Sequence, residues 1–234
     1  MSVTHVYFGG AGPGDPNLLT VRALRLLQDA DIVLYDALVS GDILALIRRG
    51  AQRICVGKRA GGHSMAQSEI NRLLVRLACR GRRVVRLKGG DPTLFARLSE
   101  EIAALRQAGL SFEIVPGITT ASAAAASAGF SLTERGIARR VQFVTGHLRA
   151  GDGDAIDWRA LADPQTTTVV YMGREAAAQL CRTFVDVGLA PCTPVLLIAN
   201  ASRADEVQRV EDLATLADAV RSMPSDAPLL LVIG

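Results

Sequence analysis

The sequence of 234 residues is poor in long apolar runs, aromatic side chains and lysine. No stretch approaches the roughly 20 apolar residues of a membrane-spanning helix, and the first residues lack the basic and then apolar pattern of a signal peptide. Aromatic residues make up 4% of the chain and are not interleaved with basic runs, which argues against a nucleic-acid stacking surface. We therefore expect a soluble cytoplasmic protein that binds neither a membrane nor a nucleic acid.

Histidine and cysteine, the common ligands of transition metals, are also scarce. The cysteines are widely and irregularly spaced, so neither a CxxC metal motif nor a disulfide framework is indicated, and we interpret them as small buried apolar residues. The histidines show no paired spacing, and we predict no metal site. The cysteines are Cys55, Cys79, Cys181 and Cys192, and the histidines are His5, His63 and His147.

The positive charge is carried almost entirely by arginine. The formal net charge is +3, and Lys58 and Lys88 are the only lysines. Because the planar arginine side chain binds carboxylates and phosphates through two hydrogen bonds, this composition permits an anionic substrate.

Short apolar runs alternate with amphipathic segments through the first half of the chain. This alternation is typical of βαβ units, and it predicts an α/β fold with a largely parallel sheet. The expected strands cover residues 3–8, 31–35, 53–56, 83–87 and 112–115, and the expected helices cover residues 19–30, 43–49, 68–80 and 98–108.

The second half begins with a run of small residues, 121–128, which predicts a helix that packs closely against another backbone, a ligand or the core. We place the boundary between two α/β domains near Gly117, which gives domains of residues 1–117 and 118–234. Strands are expected at residues 141–145, 167–172, 195–199 and 229–233, helices at 176–187 and 213–221, and a surface loop at 150–157.

A glycine-rich segment, GGAGPGDP at residues 9–16, directly follows the first predicted strand. Glycines at this place free the backbone for a tight turn beside a ligand. The segment does not match the GxGxxG dinucleotide motif, because Asp15 stands where the third glycine belongs and Pro13 lies inside the loop. It does not match the Walker phosphate-binding loop either, because no Gly-Lys-Ser/Thr follows. A plain strand-to-helix turn remains an alternative.

Two further glycine turns occur at predicted strand ends, LKGGDP at residues 87–92 and VPGITT at residues 115–120. Because loops at the carboxyl ends of strands converge on one crevice in an open α/β sheet, the three turns predict a single shared ligand site. Asp36 ends the second predicted strand, where it suits the acid that binds a nucleotide ribose. An NAD(P)-dependent oxidoreductase is therefore an alternative function at this stage.

The complete set of motifs resembles the tetrapyrrole methylases. The strings that carry the resemblance stand in the family's order and spacing over nearly the whole chain, and YDALVS, VGKRAG and RLKGGDP are closest to the uroporphyrinogen-III C-methyltransferase branch. The strings are GAGPGDP (10–16), YDALVS (35–40), VGKRAG (56–61), VRLKGGDP (85–92), VPGIT (115–119), LTERG (132–136), VTGH (144–147) and VVYMG (169–173).

The resemblance implies two α/β domains, with S-adenosylmethionine bound in the cleft between them and S-adenosylhomocysteine as its product. It also implies a homodimer that methylates uroporphyrinogen III at C2 and C7, through precorrin-1 to precorrin-2, for sirohaem, cobalamin or haem d1 synthesis. Another precorrin C-methyltransferase of the cobalamin pathway is the related alternative. The donor-binding residues implied by position are Pro13, Gly89, Gly90, Asp91, Leu94, Thr119, Thr120, Met172 and Ala201.

The resemblance also implies an acceptor pocket with acid–base candidates and charged residues near the macrocycle. Two departures from the family pattern fall near this pocket. Leu98 and Ser99 replace two glycines, and Glu134 replaces a histidine. We expect both departures to bear on the identity of the substrate and on the efficiency of the reaction. The implied acid–base residues are Asp36 and Lys58, and the implied pocket residues are Arg97, Glu100 and Arg135.

Overall fold

The computed structural model of this chain describes residues 6–57, 65–146 and 156–234. The chain divides into two compact units, Met1–Thr120 and Ala121–Gly234. The boundary expected near Gly117 lies close to this division. Each unit is built on its own five-stranded sheet.

The first unit is a parallel α/β sheet with helices between its strands. Its strands are β1 (Val6–Gly10), β2 (Ile32–Tyr35), β3 (Gln52–Cys55), β4 (Val84–Lys88) and β5 (Phe112–Val115), and its helices are α1 (Val21–Asp29), α2 (Gly41–Ala45), α3 (Gln67–Ala78) and α4 (Leu98–Gln107). The strand order is β3-β2-β4-β1-β5, and every neighbouring pair is parallel. The parallel sheet predicted from the alternating pattern is confirmed.

Strand β4 lies at the centre of this sheet and divides the core of the unit in two. Val85 belongs to the cluster on one face, together with Leu27 of α1. Val84 belongs to the cluster on the other face, together with Leu74 of α3 and Leu105 of α4. Since successive residues of a strand point to opposite faces, β4 is buried on both sides.

The second unit contains a mixed sheet. Its strands are β6 (Arg140–Thr145), β7 (Thr166–Tyr171), β8 (Pro194–Ala199), β9 (Val207–Asp212) and β10 (Leu229–Ile233), and its helices are α5 (Thr120–Ala128), α6 (Trp158–Leu161), α7 (Ala177–Asp186) and α8 (Leu216–Ser222). The order is β6-β7-β10-β8-β9, in which only β6 and β7 are parallel among the described strands. The α/β class expected for both halves is confirmed.

Helix α5, the predicted helix of small residues, packs on one face of the second sheet. Ala121 and Ala124 are fully buried there, in a cluster with Val169 of β7, Ile198 of β8 and Val232 of β10. Alanine lets the helix approach the strands closely because its side chain is a single methyl group. The helix therefore serves the core of this unit.

Strand β9 was not expected from the sequence. It pairs with β8 at the edge of the sheet, and its residues VQRVED are exposed at nearly every position. An edge strand that buries neither face has no need for alternating apolar residues, so the pattern that identifies half-buried strands is absent. Helix α6 was also missed, because it has only one turn. The expected loop at 150–157 falls largely outside the described residues.

The interpretation of all four cysteines as buried residues is wrong. Cys181 is buried, whereas Cys55 is half-buried and Cys79 and Cys192 are exposed. In the described ranges, no three His, Cys, Asp or Glu side chains are placed to hold a metal ion. No helix within these ranges combines the length and the apolar character needed to cross a bilayer.

Candidate active site

The glycine turns that follow β1 and β4 lie side by side. The Ala11 N–H donates to the Lys88 carbonyl at 2.8 Å, directly beyond the parallel pairing of the two strands. Gly12 and Gly90 then exchange two hydrogen bonds, of 3.1 Å from Gly12 N and 2.8 Å from Gly90 N. These bonds form an antiparallel bridge that ties the two turns together above the carboxyl edge of the sheet.

The turn that follows β5 joins the same cluster. A Cβ atom at Gly10 would lie 2.5 Å from the Cα of Gly117, and a Cβ atom at Gly117 would lie 2.3 Å from the carbonyl oxygen of Gly90. Only glycine fits at these contacts, because backbone meets backbone. The predicted convergence of the three turns is confirmed, and we call this cluster the glycine floor (residues 10–12, 89–91 and 117).

Asp91 connects two of the turns in the glycine floor. Its Oδ1 accepts hydrogen bonds from the Thr93 N–H at 2.8 Å and from the Thr93 hydroxyl at 2.5 Å. Its Oδ2 accepts from the Gly117 N–H at 3.0 Å. Oδ1 thus fixes Asp91 within its own turn, and Oδ2 holds that turn against the turn after β5.

The other donor-binding candidates of the first unit lie next to these turns. Pro13 is buried in the turn after β1, and Leu94 is half-buried in the segment before α4. Thr119 precedes α5 and Thr120 begins it. The Thr120 hydroxyl oxygen lies 3.9 Å from the position that a Cβ of Gly90 would occupy. These residues therefore border one glycine-lined surface at which a ligand can approach backbone donors and acceptors.

Met172 and Ala201 lie just beyond the carboxyl ends of two strands, at the same edge of the second sheet. Met172 follows β7 and Ala201 follows β8 closely, and these strands run in the same direction because each is antiparallel to β10. Met172 has φ 53°, and the neighbours of Ala201 have φ 52° at Asn200 and 63° at Ser202. Non-glycine residues rarely adopt positive φ, and such residues cluster at ligand sites. Two tight turns therefore present these candidates at one edge.

Arg97 and Glu100 form a pair at the start of α4. The guanidinium donates to both carboxylate oxygens of Glu100, at 2.7 Å from Nε and 2.8 Å from Nη2. The Arg97 side chain is 48% exposed. Its hydrogen bonds to Glu100 raise the pKa of Arg97 above its ordinary value. Arg97 therefore remains a cation, which suits the binding of negative charge and not the acceptance of a proton.

Arg135 lies at the tip of a small hairpin in the second unit. Glu134 and Ala138 exchange backbone hydrogen bonds of 2.9 and 3.0 Å. Gly136, with φ 87°, lets the chain turn between them. Arg135 and Glu134 are both exposed at this tip. The Glu134 departure from the family pattern thus adds an acidic group directly beside Arg135.

Asp36 follows β2 and is held by an arginine of the neighbouring strand. Arg86 Nη2 donates to Asp36 Oδ1 at 2.6 Å, and the Asp36 side chain is 28% exposed. The oxidoreductase alternative used Asp36 as a ribose acceptor, and in the structure this carboxylate is paired with a buried cation. Lys58, the other acid–base candidate, lies outside the described residues.

Asp36 belongs to a buried charge cluster that was not predicted from the sequence. Arg86 and Lys88 point to the same face of β4, and both contact Glu101 of α4, whose side chain is 0% exposed. Glu101 Oε1 accepts from Arg86 Nε at 2.9 Å, and Oε2 accepts from Lys88 Nζ at 2.9 Å. Gln67 of α3 donates to Glu101 Oε1 at 3.4 Å. We call Asp36, Arg86, Lys88 and Glu101 the buried charge cluster.

The members of this cluster perturb one another electrostatically. Burial alone would lower the pKa of Arg86, but the carboxylates of Asp36 and Glu101 raise it above the ordinary value. Burial, followed by repulsion from Arg86, lowers the pKa of Lys88, although Glu101 and Asp36 oppose the change. The sequence signal for the cluster was two basic residues at alternate positions of the strand VVRLK, which is otherwise apolar.

Comparison with known proteins identifies the family. The family model of the tetrapyrrole (corrin/porphyrin) methylases matches residues 5–217. Siroheme synthase 1 of Yersinia enterocolitica is 54% identical over 225 residues, which are 96% of this chain and 47% of that protein. The chain thus spans about half the length of the curated relatives it matches.

Two solved structures share the whole fold. Uroporphyrin-III C-methyl transferase of Thermus thermophilus, in complex with S-adenosylhomocysteine, is 39% identical with a TM-score of 0.83, over 98% of this chain and 96% of that one. A cobalt precorrin-4 methyltransferase is 31% identical with a TM-score of 0.87, over 98% of this chain and 94% of that one. The chain therefore belongs to the tetrapyrrole methylase family.

Proposed function

We propose that this chain is an S-adenosylmethionine-dependent C-methyltransferase that acts on uroporphyrinogen III. The observation that carries the proposal is its 39% identity, over nearly the full length of both chains, to a uroporphyrin-III C-methyl transferase bound to S-adenosylhomocysteine. The glycine floor adds support, because it brings three turns together at the carboxyl edge of the parallel sheet, which is where open α/β sheets bind their ligands.

The proposed donor-binding residues of the first unit belong to or border the glycine floor, and those of the second unit are Met172 and Ala201. S-adenosylmethionine supplies an electrophilic methyl group when it is bound. The part of the protein is to hold its ligand: the turn at Gly89 and Gly90 lets a ligand approach the backbone closely, and Met172 offers an adaptable apolar side chain for a flat ring. Asp91 keeps the turns in place. Pro13, Leu94, Thr119, Thr120 and Ala201 complete the proposed site.

The acceptor site uses charged residues to bind and deprotonate the macrocycle. Uroporphyrinogen III carries eight carboxylates, as the family resemblance implies, and Arg135 and the N–H groups of Arg97 that Glu100 does not use bind them. A pyrrole carbon forms the new bond to the methyl group, and one proton must then leave the macrocycle. Asp36 accepts that proton as a partly exposed carboxylate, and Lys58 is the second acid–base group. Glu100 keeps Arg97 in place.

The product is precorrin-2, formed by methylation at C2 and then at C7 with precorrin-1 as the intermediate. The name of the Yersinia relative, siroheme synthase, supports sirohaem synthesis as the pathway that consumes it. No metal takes part in this proposal.

The test is transfer of isotope-labelled methyl groups from S-adenosylmethionine to uroporphyrinogen III by the purified chain. We expect two labelled methyl groups per macrocycle and calorimetric binding of S-adenosylhomocysteine. Binding without transfer would contradict the acceptor assignment, and neither binding nor transfer would contradict the whole proposal.

A second candidate is a precorrin C-methyltransferase that acts later in cobalamin synthesis. The TM-score of 0.87 to the cobalt precorrin-4 methyltransferase favours it, whereas the lower identity of 31% argues against it. Competition between uroporphyrinogen III and precorrin-2 as acceptors distinguishes the two candidates.

We also propose that the enzyme works as a homodimer, as the family resemblance implies, and that it is cytoplasmic, as the lack of long apolar runs leads us to expect. Light scattering at micromolar concentration is expected to report twice the chain mass of 24.8 kDa. A mass equal to a single chain would refute the dimer.

A further inference from the structure

We propose that Glu101, acting through Arg86, positions the Asp36 carboxylate for proton removal. The inference rests on the proposed function, because it concerns the base of that reaction. Glu101 is 0% exposed and cannot touch a substrate, so it is a positioning residue and not a catalytic one.

The first support is geometric. Arg86 is held at two points before it reaches Asp36: its Nε donates to Glu101 at 2.9 Å, and its Nη1 donates to the Leu87 carbonyl at 3.2 Å. A guanidinium is planar and rigid, so two fixed points determine the direction of the third nitrogen. That nitrogen, Nη2, lies 2.6 Å from Asp36 Oδ1. The orientation of the Asp36 carboxylate is thus determined from inside the core.

The second support is the charge balance of the cluster. Two buried cations, Arg86 and Lys88, face two carboxylates, Glu101 and Asp36. Without the negative charge of Glu101, Asp36 would be the only carboxylate of the cluster opposite both cations, and attraction would draw it inward. Glu101 therefore offsets one of the two buried positive charges, and the remaining one is balanced by the carboxylate of Asp36, which is 28% exposed at the surface of the unit.

The third support is the cost of the arrangement. A buried ion pair is expensive to desolvate, and well-packed apolar residues in its place are often neutral or stabilising. Strand β4 is buried on both faces of a parallel sheet, where apolar residues are the usual occupants. The charges in this strand are therefore poorly explained by stability alone, and their connection to Asp36 supplies a functional reason.

The test is Glu101→Gln, which keeps the size of the side chain and removes its charge. We expect kcat to fall about 10- to 100-fold, which is the effect of one misplaced charge-assisted hydrogen bond. The KM for uroporphyrinogen III and the Kd for S-adenosylhomocysteine are expected to stay within about threefold, because neither ligand contacts Glu101. A merely structural role would change all three quantities together with Tm.

A double-mutant cycle with Asp36→Asn isolates the connection. If Glu101 acts through Asp36, Glu101→Gln has little further effect on kcat once Asp36 is replaced. Additive losses of kcat would overturn the proposal. If Asp36→Asn alone leaves kcat unchanged, Asp36 is not the base, and the positioning role fails with it. Methyl transfer by the wild-type chain still decides the proposed function separately.

Two further variants provide an alternative test and a control. Arg86→Lys keeps a buried positive charge, yet a single ammonium cannot reproduce the three directed contacts of the guanidinium, so we expect a similar loss of kcat. This variant takes the place of Glu101→Gln if Glu101→Gln does not fold. Unchanged kcat in Arg86→Lys would overturn the proposal. The matched control is Asp29→Asn, which breaks the exposed pair with Arg83 at the amino end of β4 and is expected to be silent.

Discussion

Replacing Asp91 by asparagine is expected to loosen the glycine floor and, as a result, to weaken binding of the methyl donor and its product S-adenosylhomocysteine. The asparagine oxygen can keep the contacts with Thr93, but its NH2 group then faces the Gly117 N–H, which is also a donor. The bond from Gly117 N to Asp91 Oδ2, 3.0 Å long in the native chain, is therefore lost. Losing a hydrogen bond to a charged group costs about 1.5–3 kcal/mol, and the half-buried position favours the lower part of that range, about 2 kcal/mol.

Two measurements check this prediction. For a chain of this length, about 2 kcal/mol lowers Tm by roughly 4–8 °C in a thermal melt. We also expect the Kd for S-adenosylhomocysteine to rise about tenfold. About 1.4 kcal/mol of the binding free energy would then go into ordering the loosened turns. The comparison variant is Thr93→Val, which removes only the hydroxyl contact to Asp91 and should have a smaller effect on both quantities.

The two readouts separate the possible roles of Asp91. An unchanged Tm with a raised Kd would refute the turn-holding argument and indicate direct contact between the carboxylate and the donor. A lowered Tm with an unchanged Kd would show that the glycine floor is not the donor site.

Three other predictions follow from the site. Gly117→Ala is expected to destabilise the chain by about 3 kcal/mol in denaturant titration, because its Cβ would lie 2.3 Å from the Gly90 carbonyl oxygen; a loss under 1 kcal/mol would show that the turns relax freely. Arg97→Leu and Arg135→Leu should each depress turnover of uroporphyrinogen III while sparing S-adenosylhomocysteine binding, with the exposed Arg221→Leu as a silent control; full turnover in both variants would refute the acceptor site. Glu134→His should lower the KM for uroporphyrinogen III, most clearly at low salt, because it removes a negative charge beside Arg135; a salt-independent KM would contradict this.

The alternating pattern was sufficient to predict the first unit. Strands β1, β2 and β4 there are largely buried, and strands alternate with helices along the chain, so the apolar runs and their order predict a parallel sheet. The three glycine turns were predictable for a related reason: loops at the carboxyl ends of parallel strands must meet at one edge. Strand β9 escaped detection because an exposed edge strand pairs through its backbone, which leaves no apolar signature.

The residue types at the candidate site were readable in the sequence, but their partners were not. Motif positions identified Asp36 and Asp91, because both stand at strand ends in recognisable strings. Their contacts depend on residues far away in the chain: Asp36 meets Arg86, and Asp91 meets Gly117. Local sequence says nothing about such pairs, since they form only when parallel strands are brought side by side.

Glu101 illustrates the difference most clearly. In the sequence it is one of two adjacent glutamates at the start of a helix, where an acidic residue is favoured by the helix dipole and is usually exposed. In the structure its neighbour Glu100 pairs with Arg97 at the surface, whereas Glu101 is buried between Arg86 and Lys88. Composition and periodicity predicted the α/β class and most of the order of elements, and the motif strings carried the family resemblance. Which of two identical side chains enters the core depends on the rotation of α4 against the sheet, and that rotation is set by packing across the whole unit.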